Sequence, residues 1–397
     1  MRPDGARVKT HHRAVVSVAR YIGLDLHKDY IHGCEWIPLE TRERHFRVKN
    51  DPDAWARLAE ELGPDCEVAV EVTGNAFELY DVLSEHCAKV VLANPNALKR
   101  LGSGQHTDRV DAAHLAKMMA MNTIPAVWVP PQPVREVRRL LQYRFRLVQQ
   151  EVRCKNQVKA VLRRYGCDAR IGRTPDSVIQ ELNSLRVCPA DKAVLISALR
   201  MLTSVEGERQ AIEAEIARRL DEHPQAKVLL SIPGVGAITA AAIWAWLGEP
   251  NRFRTGKQVA SYAGLDPSVH QSGETYYHGR ISKNGNHLLR TLLIEAAQTL
   301  ARYDRGQLGA FFRRKCLQIG AKRAIVALAR KLVVLAWRML QRGQTYRDQV
   351  PATTQRKQTA LRRLSHRTTA WDEVAATLQA CFLARTGSPQ ESVASSA

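Results

Sequence analysis

The apolar residues of this chain change their repeat at a proline cluster, and that change limits what the chain can fold into. Up to Pro130 the apolar runs are short and strand-like; past the break PPQP (130–133) they recur at helical spacing over long stretches. Short strands with interleaved helices, followed by an all-helical remainder, require an α/β domain and then an α domain.

Within the first part, Ser17–Leu26, Tyr30–Ile37 and Glu43–Val48 are strand candidates with brief connections, the pattern of an antiparallel meander. A helix is expected over Asp51–Leu62, with Asp51 or Asp53 as its cap. A strand over Cys66–Val72, a helix over Ala76–His86, a strand over Lys89–Ala93 and a helix over Asp108–Met121 follow, and Val127–Pro130 closes the region. The order βββαβαβα is that of a ribonuclease-H-like domain, here over 19–130.

Residues 134–165 read as one long helix, apolar at Val137, Leu141, Phe145, Val148, Val152, Val158 and Leu162. A second pattern, Leu195, Leu199, Leu202, Val205, Ile212, Ile216 and Leu220, has near-heptad spacing. The span 134–222 is an antiparallel hairpin, an intersubunit coiled coil or a plain helical spacer. Residues 227–345 form a mostly helical region whose last helix, Phe311 to Arg342, carries nine Lys/Arg and no acid. Residues 1–18 read as a basic tail, and 351–397 as a polar tail, partly disordered.

The chain has 59 Lys+Arg against 39 Asp+Glu, a net charge of +20, which favours a polyanionic partner because cations at phosphates release counterions. Val228 to Leu247 carries no charge. Pro233, Gly234 and Gly236 interrupt it, so a buried helix rather than a membrane span is expected. The 8 cysteines form no CxxC pair, which argues against a zinc ribbon or a disulfide framework and for reduced thiols in a cytosol.

Four acids stand where such a sheet would gather them. Asp25 ends the first strand (YIGLDLHK) and Glu71 the fourth (VAVEVTGN); in a ribonuclease-H-like sheet these strands are neighbours. Asp108 and Asp111, in HTDRVDAAHLAK, lie three apart and share a helix face. His106 and His114 flank them and are expected at supporting or surface positions. Carboxylates crowded at one sheet end repel one another unless a cation neutralises them, and an oxygen-only set suits Mg2+ or Mn2+.

The second part carries two further candidates. SIPGVGAITAAAIWAWLG, from Ser231, fits a helix-hairpin-helix element whose Gly234 and Gly236 turn presents amides to a DNA phosphate, or a glycine turn between packed helices. Ser272 stands in a loop before Gly273, with Arg280, Lys283 and Arg290 placed to neutralise a phosphate; spacing alone does not single it out from Ser261, Ser268 or Ser282. The basic helices offer Arg138, Arg139 and Arg144, and Arg313, Arg314 and Lys315, as nucleic-acid contacts.

The motifs IGLDLHK (22–28), EVTGN (71–75), NPNALK (94–99), TDRVDAAHLA (107–116), IPGVGAITAAAI (232–243), FRTGKQVASYAGLDP (253–267), QSGE (271–274) and GRISKNGNHLLR (279–290) run in order over most of the chain. By these it resembles insertion-sequence transposases with a DEDD-type, RuvC-like N-terminal domain and a serine-bearing C-terminal domain, the bridge-RNA-guided group. The resemblance implies that Asp25, Glu71, Asp108 and Asp111 bind metal and that Ser272 is a nucleophile leaving a 5′-phosphoserine link. It further implies donor and target DNA and a bridge RNA as partners. A homo-oligomer, dimer or tetramer, is implied too, in a cytoplasmic, nucleoid-associated prokaryotic setting. Competing readings are a metal-dependent nuclease or junction resolvase using water, and a non-catalytic helix-hairpin-helix protein. The strand IGLD also occurs in sugar-kinase/actin ATPases, but no second phosphate loop or adenosine motif accompanies it.

Overall fold

A computed structural model describes residues 20–101, 107–167, 187–272, 275–282 and 284–367. The tail expected over 1–18, His106, Lys283 and the segment beyond 367 lie outside the described residues. The chain divides into two compact units, Met1–Val129 and Pro130–Ala397.

The first unit runs β1 (Arg20–Leu26), β2 (Tyr30–Ile37), β3 (Arg42–Lys49), α1 (Pro52–Leu62), β4 (Cys66–Glu71), α2 (Ala76–Ser84), β5 (Lys89–Ala93), α3 (Pro95–Leu101) and α4 (Asp108–Ala120). Its 5-stranded sheet has the order β3-β2-β1-β4-β5. The meander pairs are antiparallel, whereas β1–β4 and β4–β5 are parallel. The strands β1 and β4 are therefore neighbours, as the acid spacing requires. Both are apolar nearly throughout because both sheet faces are covered. Trp55 and Leu58 of α1 and Leu79 and Leu83 of α2 pack on one face with Ile22, Leu24, Val68 and Val70. On the other face, Ala112, Leu115 and Met119 of α4 meet Cys34, Ala69 and Ala93.

A glycine sets the distance between α4 and the sheet. A Cβ on Gly23 would fall 2.0 Å from the Ala112 carbonyl oxygen and 2.6 Å from the Ala116 nitrogen, so helix and strand touch main chain to main chain. Asp51 caps α1, accepting a hydrogen bond from the Ala54 amide at 2.9 Å, and Thr107 caps α4 through the Val110 amide at 3.3 Å. The structure adds a helix, α3 over Pro95–Leu101, and the closing segment Val127–Pro130 follows one isolated bridge, Ala93 with Ala126. Pro125 and Pro130 flank that segment and cannot donate to a ladder.

The second unit opens with α5 (Gln132–Arg164) and α6 (Pro189–Asp221). Ion pairs Arg144–Glu213 (2.8 Å), Arg209–Glu151 (2.9 Å) and Arg164–Asp191 (2.9 Å) match early residues of one to late residues of the other, so the helices are antiparallel. This is the hairpin among the alternatives, formed within one chain. Then come α7 (Pro224–Lys227), a 3-10 turn over 228–231, α8 (Ala237–Leu247), α9 (Gly256–Tyr262), β6 (Pro267–Ser272), β7 (Thr275–Ile281), α10 (His287–Tyr303), α11 (Gln307–Ile319), α12 (Ala321–Arg342) and α13 (Pro351–Ser365). One core joins Val137, Leu141, Ile216 and Leu220 of the hairpin to α8, α10 and α12. The break expected between 222 and 227 therefore separates no units.

Three further expectations are overturned. The single helix Phe311–Arg342 is two, because Gly320 adopts φ +78° between α11 and α12. The loop expected at Ser272 is the end of strand β6, which pairs antiparallel with β7. Residues 351–365 are a helix rather than a tail: Thr354, Leu361 and Ser365 are buried, and the Lys357 ammonium donates to the Leu230 and Ile232 carbonyls at 3.0 and 2.6 Å. The uncharged stretch becomes the buried α8, and no helix among the described residues is long and apolar enough to cross a membrane.

Candidate active site

Asp25 is the sixth residue of β1, and the register Leu24 to Val70 sets its backbone beside that of Glu71. Thr107 starts α4 so that Asp108 and Asp111 occupy its first turn, where the helix dipole favours negative charge. The close seat at Gly23 brings that turn over the strand end. Three side chains then converge: the His27 Nε2 lies 3.1 Å from Asp25 Oδ2 and 3.3 Å from Asp108 Oδ2, and all three ligand atoms lie within 4.8 Å of one another. Glu71 and Asp111 stand outside that group of three. Asp111 still bears on it electrostatically. Burial pushes the Asp25 carboxyl above its ordinary value; His27 opposes this, and Asp108 and Asp111 add to it.

Asp108 titrates the other way. The Tyr30 hydroxyl donates to its Oδ2 at 2.8 Å and holds the carboxyl below the usual range. The Tyr30 ring is in turn stacked on His27, with centroids 4.6 Å apart, and covered by the Arg47 guanidinium at 3.3 Å. Two asparagines tie the turn after β1 to the end of β4. The Asn50 amide donates to the His27 carbonyl at 2.6 Å, while its Oδ1 accepts from Asn75 Nδ2 (2.8 Å) and Trp55 Nε1 (2.9 Å). Asn75 closes the EVTGN motif, whose last residue thus braces the turn that aims His27.

The donor set fits a small cation. Two carboxylate oxygens and an imidazole nitrogen converge with a third carboxylate near, and the half-buried Asp25 is repelled by its acidic neighbours. His27, Tyr30, Asn50 and Asn75 were not singled out from sequence. His27 stands one residue past the end of β1, two after Asp25.

The second-unit candidates separate into groups. Ser272 ends β6, opposite Thr275, in a hairpin rather than a free loop; its side chain, like Gly273, Glu274 and Lys283, lies outside what is described. Below the hairpin, Asp266 accepts from the Ser261 and Ser282 hydroxyls at 3.3 and 2.8 Å. Those two serines have structural employment. Gly285 sits so close that a Cβ would lie 2.2 Å from the Gly264 nitrogen, and the Asn286 amide donates to the Tyr262 carbonyl at 2.9 Å. The motifs SYAGLDP and GRISKNGNH therefore clamp the base of the β6–β7 hairpin.

Several basic residues expected on nucleic acid serve the interior instead. Arg290 is 7% exposed and its Nη1 donates to the Gly285 carbonyl at 3.4 Å. Arg138 donates to the Ala245 and Trp246 carbonyls at 2.8 and 3.4 Å, capping the C-terminus of α8 beside Arg252. Arg144 is paired with Glu213. Arg290 and Arg138 are corrections, and Arg144 is engaged by its partner helix: a long helix needs cations for its neighbour as well as for a ligand. Arg139, Arg280, Arg313 and Arg314 are exposed, and Lys315 is half-buried with its ammonium donating to Gln318 at 2.9 Å. On α5, Arg139, Arg146 and Arg153 are all exposed at seven-residue intervals, about 10.5 Å apart along the axis. The latter two were overlooked. Gly234, at φ +74°, is pressed against α10, where a Cβ would lie 2.9 Å from the Ala296 carbonyl oxygen; Gly236 opens α8 with clear space around it.

Comparison with known proteins decides what this arrangement belongs to. Residues 22–167 match a DEDD-type transposase model for IS110 elements, and residues 226–313 match the "Transposase IS116/IS110/IS902 family". A "probable family 20 transposase" of Pseudomonas aeruginosa is 32% identical over 346 residues, 82% of this chain and 98% of the relative. The chain belongs to the IS116/IS110/IS902 transposase family. This transposase is thus an enzyme that acts on DNA. The transposase for insertion sequence element IS1111A of Coxiella burnetii is 27% identical, covering 87% of this chain and 98% of the relative. A pilin gene-inverting protein of Moraxella bovis is 24% identical, over 82% and 97%.

Proposed function

We propose that this transposase cuts and rejoins DNA strands with a divalent-metal carboxylate site in a ribonuclease-H-like first unit and a serine nucleophile in the second. The observation that carries the reading is the convergence of Asp25 and Asp108 with His27 within 4.8 Å at the end of the sheet. Asp25, Glu71, Asp108 and Asp111 would hold the ion, Mg2+ or Mn2+, with His27 beside them. Such an ion supplies positive charge to a phosphodiester whose negative charge grows as the phosphorus is attacked.

The remaining roles fall to the chain itself. Ser272 Oγ attacks the backbone phosphorus; the Oγ–P bond forms, the bond to the 3′-oxygen breaks, and the serine proton leaves as the departing 3′-oxygen gains one. The DNA is then held as a 5′-phosphoserine until another strand's 3′-hydroxyl reverses the step. The clamped base of the β6–β7 hairpin would aim the serine. The asparagine brace and Tyr30 would hold the acids. Phosphates would run along Arg139, Arg146 and Arg153 of α5, along Arg313 and Arg314, past Arg280, and at the open N-terminus of α8 through the helix-hairpin-helix turn. A bridge RNA pairing with donor and target DNA, and an oligomer in which units of different copies share a site, complete the proposal. A relative named for inverting a gene favours cutting with rejoining over cutting alone.

The test is a suicide DNA substrate with the full chain and Mg2+. Wild type should give a covalent protein–DNA adduct, Ser272→Ala none, and Asp108→Asn none while still binding DNA. Full recombination by Ser272→Ala would instead favour a metal-dependent nuclease or resolvase using water, and full activity of Asp108→Asn would leave only a nucleic-acid scaffold.

A further inference from the structure

A second group of ligating side chains lies on the same sheet face, toward the edge strand β3, and the proposed chemistry does not use it. Cys34 of β2 is the cross-strand partner of His45 in β3, so the two side chains emerge on one face as immediate neighbours. Glu43 is two residues before His45 and therefore projects the same way. The Cys34 Sγ lies 4.0 Å from His45 Nε2, and Glu43 Oε2 lies 3.3 Å from the same nitrogen. All three ligand atoms fall within 4.8 Å of one another.

We infer that Cys34, Glu43 and His45 form a second cation site of this chain, suited to a zinc-class transition metal. The spacing fits. Tetrahedral bonds of the usual Zn–N, Zn–O and Zn–S lengths put ligand atoms roughly 3.3 to 3.6 Å apart, so the Glu43–His45 edge is already right and the thiol is about half an ångström too far out. The supporting contacts have the form that ligand groups need. The His45 Nδ1 faces His32 Nε2 at 3.3 Å, which directs the other ring nitrogen at the thiol and carboxylate. The Glu43 Oε1 accepts from the Lys117 ammonium at 2.6 Å, leaving Oε2 turned to the cluster. Cys34 is fully buried and the His45 side chain is 10% exposed, whereas Glu43 is 32% exposed and marks the side from which an ion would enter.

A thiolate, an imidazole and one carboxylate form a softer set than the acids around Asp25, so the two sites would sort their metals by ligand type. Binding is a coordination step in which the Cys34 thiol releases its proton to solvent as the S–metal bond forms. The ion would pin the edge strand β3 to β2 and, through Lys117, to α4. It would also lie one imidazole away from the acids, since His32 is the cross-strand partner of Asp25.

The test uses the full chain, stripped with a chelator, reloaded with Zn2+ under excess Mg2+, desalted and analysed for metal. One zinc per chain should be retained by wild type and by Asp108→Asn, and lost by Cys34→Ser and His45→Gln. Glu43→Gln, at a more exposed position, should keep the circular dichroism of the wild type and weaken zinc binding about tenfold or more. Loading with Co2+ should give a sulfur-to-metal charge-transfer band in wild type and Asp108→Asn that Cys34→Ser lacks. Zinc that stays in Cys34→Ser and leaves Asp108→Asn would place the metal at the catalytic acids and overturn the inference. Wild-type protein that retains none would overturn it equally. These readouts need no strand transfer, so they stand or fall apart from the serine mechanism.

Discussion

Asp25 and Asp108 face one another with opposite tendencies, the first pushed toward its neutral form by burial and the second held ionised by the Tyr30 hydroxyl. Removing that hydroxyl lets Asp108 rise toward its ordinary value, so it would protonate at higher pH than in wild type. In Tyr30→Phe the acid limb of the cleavage pH profile should therefore move upward; an unmoved limb would mean that Tyr30 does not govern this carboxylate. The acids themselves were legible in sequence because carboxylates at strand ends and one helical turn have fixed directions. His27 was hidden because one histidine after a strand carries no spacing signal, and Asn50 because its partners, Asn75 and Trp55, are remote along the chain or of another type. The basic residues misled for a related reason. Charge is visible in sequence, but whether Arg138 faces solvent or the carbonyls ending α8 depends on what packs beside it.

Elements were most legible where a period was sustained and least where a single residue decided. The short apolar runs of β1, β2 and β5 and the long repeats of α5 and α6 gave their positions closely. The break at Gly320 interrupts an otherwise continuous basic pattern, and the β6–β7 hairpin is too polar to show an apolar face. Gly23 matters at this scale. Gly23→Ala should drive α4 off β1, destabilise the first unit by about 3 kcal/mol or more and lower cleavage further than the stability loss alone explains. Chemical denaturation paired with cleavage rates would check this, and unchanged values in both would refute the contact. Buried thiols make a second prediction. Burial pushes Cys66 to about 12 and Cys87 to about 11, against 9.0 when free. Above pH 9 the unfolded chain loses these protons while the folded unit keeps them, so stability should fall as pH rises toward 11. Replacing both with alanine should flatten that decline in denaturation curves taken across the range.

For the whole molecule, the net charge of +20 sets the terms of association. Contact with about eight phosphates would give a log–log dependence of DNA affinity on salt near −7, and a flat response would remove the electrostatic basis of binding. The division at Pro130 could be read from the change of apolar repeat. The merging of the hairpin with the C-terminal helices could not, because it rests on side chains such as Leu141, Ile216 and Leu328 meeting from distant stretches.

The bare contact between β1 and α4 has an implication for altering this enzyme. Because Gly23 lets the strand holding one acid meet main-chain atoms of the helix holding two others, position 23 has no rotamer to serve as a shim for their separation. Efforts to shift metal preference are better aimed at the edges of the pocket, at Tyr30, Arg47 or Asn50, where side chains can be exchanged without prising the backbone apart.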